Sequence, residues 1–401
     1  VAIVAAIPGM LMVAAGFHAA DVPLLGLLIF GGAIVAAAFV LTWGAELAQV
    51  DIGSGLAVVF IALVTVLPEY AVDMMLAWKG GTDDTYQKYA LANMTGANRL
   101  LIGLGWPTVA FLVWYRTGRR EVVLGSERAA DVVWLALATL YSAVIPLKGT
   151  LAWYDAAILI TCYVLYVRSA RNEPDDSHPL VGPPRVMAAW PRPRRRKASL
   201  ILFLWSAFAI CVCVHPFVES LIATGKALEV NETFMLQWLA PLASESPEFV
   251  VVVLLTLRGC EGMGFGAFVS SKVNQWTLLV GGVPLAFGLS HHVHHDSWVA
   301  MGLTSWQVEE LWLTITQGLY ATAAIADLSL SLRQATVILV LFLIQFVGSV
   351  VLEAEGHHEA LSNFHIALSI LYTLLALERL VAQRAEVRKR FRDVFGRARE
   401  P

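Results

Sequence analysis

The chain has 401 residues, of which 58% are hydrophobic and 15% charged, and its mean hydropathy is +0.67. Soluble domains carry about 25% charged residues, so this composition excludes an ordinary soluble fold and describes a chain solvated by lipid. A net charge of −3 gives no reason to expect a nucleic-acid partner, and four scattered cysteines, Cys162, Cys211, Cys213 and Cys260, supply neither a disulfide framework nor a metal clip.

A spanning helix needs roughly 20 mainly apolar residues. On that measure there are twelve candidates, at about 2–19, 24–48, 54–78, 86–114, 130–147, 151–169, 199–223, 231–257, 262–289, 307–327, 332–353 and 362–382. The runs are long and continuous, which favours helices over the short alternating strands of a closed barrel. The first has no basic residue before it and is expected to be a retained helix, not a cleaved signal. Arg116, Arg119, Arg120 and Arg128 follow the fourth run, basic residues from Arg168 to Lys197 separate the sixth from the seventh, and others from Arg384 to Arg399 follow the twelfth. All three groups fall on one side if the chain starts in the cytoplasm, so both termini are expected inside, in a bacterial inner membrane.

The segment 172–198, rich in proline and arginine, reads as a cytoplasmic basic linker. It separates a first set of five helices at 24–171 from a second at 199–355, with an additional helix at 1–23 and another, with a basic tail, at 356–401. An odd number of helices per set turns the second set upside down relative to the first. The expected fold is therefore an all-α polytopic membrane protein of about twelve transmembrane helices, two inverted five-helix repeats plus one helix at each end.

Leu67-Pro68-Glu69-Tyr70 lies in the middle of the third run, and Ser246-Pro247-Glu248-Phe249 at a similar depth in the eighth. A glutamate inside a membrane segment is costly, so its default reading is functional, with a cation or proton as partner. Proline removes a backbone donor and clashes with the carbonyl four residues back, so each helix is expected to bend or break just before its glutamate and free carbonyl oxygens. A second polar-studded segment follows each: Ala92-Asn93-Met94-Thr95-Gly96-Ala97-Asn98-Arg99 in one half, Phe268-Val269-Ser270-Ser271-Lys272-Val273-Asn274-Gln275 in the other. Such matched pairs are the pattern of a repeat-built transporter with its site near the midplane.

These pairs resemble the alpha-repeats of the cation/calcium antiporter superfamily, which includes sodium/calcium and proton/calcium exchangers. Its repeats carry a Gly-Thr-Ser-x-Pro-Glu type segment followed by a Gly-Asn-x-x-Gly-Ser-Asn type segment. The resemblance implies a secondary antiporter of inorganic cations that is not an enzyme and needs no cofactor beyond the transported ions. It implies Glu69 and Glu248 as central carboxylates, with Thr65, Ser244 and Asn98 as neutral oxygen donors. A hard cation such as calcium takes about six to eight such oxygens.

Departures from the pattern carry information. Val66 and Ala97 stand where the family has serines, and Glu245 and Lys272 replace a serine and an asparagine of the second repeat. Neutral oxygens for sodium are thus depleted, which favours protons as the coupling ion. Counting along inverted helices places Glu245 and Lys272 at a common depth, about 15 Å from the cytoplasmic end, and predicts an ion pair between them. Arg99 cannot deprotonate and needs an acid. Glu69 and Asp73, four residues apart on one helix face, are the two choices and both stay open. Four acids (Glu69, Asp73, Glu245, Glu248) against two bases (Arg99, Lys272) leave two negative charges, matched by two protons or one divalent cation.

Calcium/proton exchange by alternating access is therefore the expected function. Sodium/calcium exchange, sodium/proton antiport and a degenerate sensor or binding module that no longer transports remain the alternatives. His291, His292, His294 and His295 are expected in an outer loop as a candidate metal or pH site. No Gly-rich phosphate loop or nucleophile motif occurs in a plausible context, so ATP hydrolysis and covalent catalysis have no candidate residues. Inorganic cations and lipid are the expected partners, and the oligomeric state is not written in the residues.

Overall fold

Lipid offers backbone polar groups no hydrogen-bond partners, so an apolar run must satisfy them within itself, and here the runs fold as α-helices. The computed structural model describes residues 2–16, 22–51, 66–170, 180 and 182–396. Seven described helices are long and apolar enough to cross a membrane: Pro23–Ala48, Asp84–Thr117, Ala129–Lys148, Arg192–Ala227, Glu232–Leu257, Leu332–Ala354 and His358–Ala382. The other expected runs also contain helix, shorter or more polar: Ile7–Ala14, Leu67–Gly80, Trp153–Ala170, Glu261–Asn274, Val280–His295 and Ser305–Ala324. The chain is an all-α polytopic membrane protein.

Two expected boundaries are corrected. The basic linker is in part helical, with Pro183–Met187 followed by a helix that begins at Arg192 instead of near 199. Pro191 in extended conformation starts it, and Arg195 fixes its first turn by a two-pronged bond to Asp51, Nε to Oδ2 at 2.9 Å and Nη2 to Oδ1 at 2.5 Å. Nη1 of the same guanidinium donates to the carbonyls of Ala188 and Trp190 at 2.8 and 3.2 Å. That bond holds the Asp51 carboxyl below its ordinary value of 3.8. The histidines expected in a loop instead form the last turns of the helix Val280–His295.

The chain clusters into two units, each drawn from both sequence halves, with boundaries that fall inside helices: Val1–Ala97 with Asp175–Val251, and Asn98–Pro174 with Val252–Pro401. In the first unit, the long helices Pro23–Gln49 and Arg192–Ala227 pack along each other, tied where Ser199 Oγ donates to the Gly44 carbonyl at 2.8 Å. Helix Leu67–Gly80 turns directly into Asp84–Leu100, so the two are antiparallel neighbours. Gly96, in the latter, lies so close to helix Glu232–Leu257 that an added Cβ would stand 1.7 Å from the Gln237 carbonyl oxygen. Only glycine fits there.

In the second unit, helix Ser305–Ala324 packs along His358–Ala382. Two five-residue π-helical turns, Leu101–Gly105 and Gln275–Leu279, follow the two asparagine-bearing segments at matching places. Two short antiparallel ribbons were not foreseen. Strand β1 (Glu121–Val123) pairs with β4 (Ser329–Ser331), and β2 (Thr150–Leu151) with β3 (Met301–Gly302). Each ribbon joins a connection of one sequence half to a connection of the other. Capping boxes at Thr304 with Gln307 and at Ser331 with Gln334 start the helices that leave β3 and β4.

Candidate functional site

In the first unit, Pro68 sits in the first turn of Leu67–Gly80, where its missing N–H costs nothing. Glu69 and Asp73 follow on one face of that helix and are 3% and 0% exposed. Asn93 of the next helix donates its amide to Asp73 Oδ1 at 2.8 Å, while Asp73 Oδ2 and Asn93 Oδ1 are buried with no hydrogen-bond partner among the described residues. Glu245 is 1% exposed and Glu248 half-buried, both on Glu232–Leu257. That helix runs on through Pro241 and Pro247, so of the expected bend or break ahead of Glu248 the break does not occur. Ser244 donates its hydroxyl to the Ala240 and Pro241 carbonyls of its own helix, both at 3.2 Å, and keeps its oxygen lone pairs for another group. Thr65 lies outside the described residues.

The second unit holds the two buried bases, and both have partners the sequence did not give them. Arg99 Nη2 donates to Glu310 Oε2 on helix Ser305–Ala324, with side chains 1% and 4% exposed. The guanidinium thus meets an acid 211 residues away, which the charge count omitted. Lys272 Nζ donates to the backbone oxygen of Asn98 at 3.0 Å and to its Oδ1, and lies 4.7 Å over the Trp276 ring. Asn98, expected to offer its oxygen to a cation, therefore holds an ammonium.

The family model described as sodium/calcium exchanger protein matches residues 22–170 and 198–351. The chain belongs to that family. The exchanger is also similar to a solved crystal structure of an H+/Ca2+ exchanger, CAX, with 34% identity and a TM-score of 0.89 over 97% of this chain and 95% of that one. Native YfkE matches at 14% identity and TM-score 0.62, covering 88% of this chain and 100% of that one. The sodium-calcium exchanger NCX_Mj matches at 15% and 0.54, covering 82% and 98%. These last two likenesses concern the fold alone. No curated protein sequence matches. Family membership makes the chain a membrane-embedded cation exchanger, not an enzyme.

Three polar residues of the exchanger were not singled out by sequence. Asn93 stands at the first asparagine of the family's second motif, which was signal enough. Glu310 lies near a helix start and reads as an interfacial acid, and His365 as one more histidine of a late helix. Only packing shows that both are buried. Of the four histidines that end helix Val280–His295, His291 and His295 bring their rings to 4.6 Å, while His291 and His294 each place Nδ1 on a backbone oxygen, of Ser297 at 2.8 Å and Ser290 at 2.7 Å. No group of three or more metal-ligating side chains forms among the described residues.

Proposed function

We propose that the exchanger moves calcium against protons by alternating access, at a site built on Glu69 and Glu248 with Asp73, Asn93, Ser244 and Glu245 around them. The observation that carries this reading is that four carboxyl groups on two Pro-Glu helices belong to one unit of a membrane-spanning exchanger, three of them 3% exposed or less. Buried carboxylates are stable only when protonated or paired with a cation. Calcium wants an oxygen-rich shell, which carboxylates, the Asn93 amide oxygen and the Ser244 hydroxyl supply together. Two protons leave as one calcium enters, and the local charge does not change.

Protons rather than sodium suit the ligand set. Val66 and Ala97 offer no side-chain oxygen, and the Asn98 oxygens already receive the Lys272 ammonium. The 34% identity to a protein described as an H+/Ca2+ exchanger agrees with this choice. Orientation follows the basic residues, with both termini on the cytoplasmic side of a bacterial inner membrane. Proteoliposomes loaded at acid pH should take up calcium when diluted into alkaline buffer. Uptake should be lost in Glu69→Gln and in Glu248→Gln. Uptake that needs a sodium gradient and persists when the pH gradient is collapsed would overturn proton coupling.

A further inference from the structure

The second unit contains a buried polar chain that the exchange site does not use. Glu310 Oε2 accepts from Arg99, and its other oxygen, Oε1, lies 3.4 Å from His365 Nδ1. His365 Nε2 is 2.9 Å from Ser349 Oγ, and the imidazole is 1% exposed. One tautomer serves both neighbours: a proton on Nδ1 faces the carboxylate, and Nε2 accepts from the serine hydroxyl. His365 lies on helix His358–Ala382, outside the residues that the family model matches. The charged groups within electrostatic reach of the imidazole are Glu310 and Glu309 from one helix, Glu353 from a second and Arg99 from a third, and Glu309 and Glu353 have other partners in Ser362 and His358. Of these, only Glu310 places a carboxylate oxygen against a ring nitrogen, which makes it the acceptor for a proton held on Nδ1.

We propose that His365 is a proton-binding positioning residue that adjusts the exchanger through Glu310 and Arg99. A neutral imidazole leaves Glu310 to Arg99. Protonation at Nε2 makes the ring cationic and turns the existing Nδ1–H into a charged donor, which competes with the guanidinium for the same carboxylate. Arg99 is the residue after Asn98, which holds Lys272, and the π-helical turn Leu101–Gly105 begins two residues on. Loosening the Arg99–Glu310 bond therefore frees the backbone that presents the asparagine motif. Ser349, only half-buried, is the side chain through which a proton reaches Nε2.

The test is equilibrium exchange of labelled calcium in proteoliposomes of the full chain, with equal calcium and equal pH on both sides. No net proton flux is needed, so the outcome does not depend on which ion couples in the cell. Between about pH 5 and pH 8 the wild-type rate should carry a histidine-like inflection of about fivefold or more, beside the change that protons competing with calcium at the carboxylates produce. His365→Gln, which keeps a hydrogen-bonding side chain but cannot titrate, should lose that inflection while retaining the high-pH rate. Should His365→Gln fail to fold, Ser349→Ala serves, and is expected to shift the midpoint by removing the Nε2 partner. A calcium-independent readout is the ring resonance of labelled His365, which should titrate in the same window. Overlapping pH profiles for wild type and variant, or a His365 resonance that does not titrate, overturns the proposal.

Discussion

A methyl group added at Gly96 would stand 1.7 Å from the Gln237 carbonyl oxygen, 2.7 Å from its carbonyl carbon and 2.8 Å from its Cγ. The two nearest atoms are backbone, so no rotamer change relieves the overlap. To restore even a 3.0 Å contact, helices Asp84–Leu100 and Glu232–Leu257 must part by about 1.3 Å at that level. Overpacking of this kind costs about 1–3 kcal/mol. Asn93 lies one turn before Gly96 and Glu245 two turns after Gln237, so the separation displaces the helix segments that carry residues of the proposed site. Misplacement of about 1 Å at a reacting centre lowers rates by about a hundredfold, and calcium uptake in Gly96→Ala should fall by at least about tenfold. Gly32→Ala is the control. Nothing lies within 4 Å of a Cβ built there, and the change should be neutral or stabilising by up to about 1 kcal/mol. Both variants are compared by melting in detergent and by proteoliposome uptake. A Gly96→Ala protein that melts and transports like wild type would show that the two helices are not held at this distance.

Asp73→Asn keeps the shape of the side chain and its neighbour Asn93 but removes a buried acid. Melting should be unchanged or higher while calcium flux drops by about tenfold or more, and full flux would remove Asp73 from the site. Lys272→Met retains the apolar stem and releases both oxygens of Asn98. Calcium uptake should then acquire a component that responds to a sodium gradient, measured at fixed pH, and a flux still indifferent to sodium would reject the ammonium as the reason for proton coupling. Arg195→Gln removes the fork on Asp51. Because the folded Asp51 carboxyl is held below its ordinary value, the bond's contribution is complete above 3.8 and fades as the pH falls through the lowered folded value. The melting difference between wild type and Arg195→Gln should be present at about pH 7 and shrink toward about pH 3, and a difference constant with pH would argue against the ion pair.

Much of the proposed site is visible as residue identities, because an acid in an apolar run is conspicuous whatever surrounds it. Glu69, Asp73, Glu245 and Glu248 stand out in that way, as do Arg99 and Lys272. Who meets whom is another matter. Counting along a helix at about 1.5 Å per residue yields depth, but not the direction in which a side chain points or which distant helix lies opposite. Depth suggests Glu245 for Lys272 and the acids of the preceding helix for Arg99, and it says nothing of Asn98 or Glu310. In the fold, the ammonium reaches Asn98 and the guanidinium reaches Glu310.

The sequence by itself determined that this chain lives in a membrane, that it is helical, and that its paired Pro-Glu segments mark an exchanger. Those properties are local, since hydropathy, proline chemistry and intramembrane charge act within one segment. Tertiary structure alone decided that helix Glu232–Leu257 passes through its prolines unbroken, that helix Arg192–Ala227 starts inside the basic linker, and that a histidine of a late helix shares a carboxylate with Arg99. Each of these depends on contacts between residues far apart in the chain, whose energies no single segment contains.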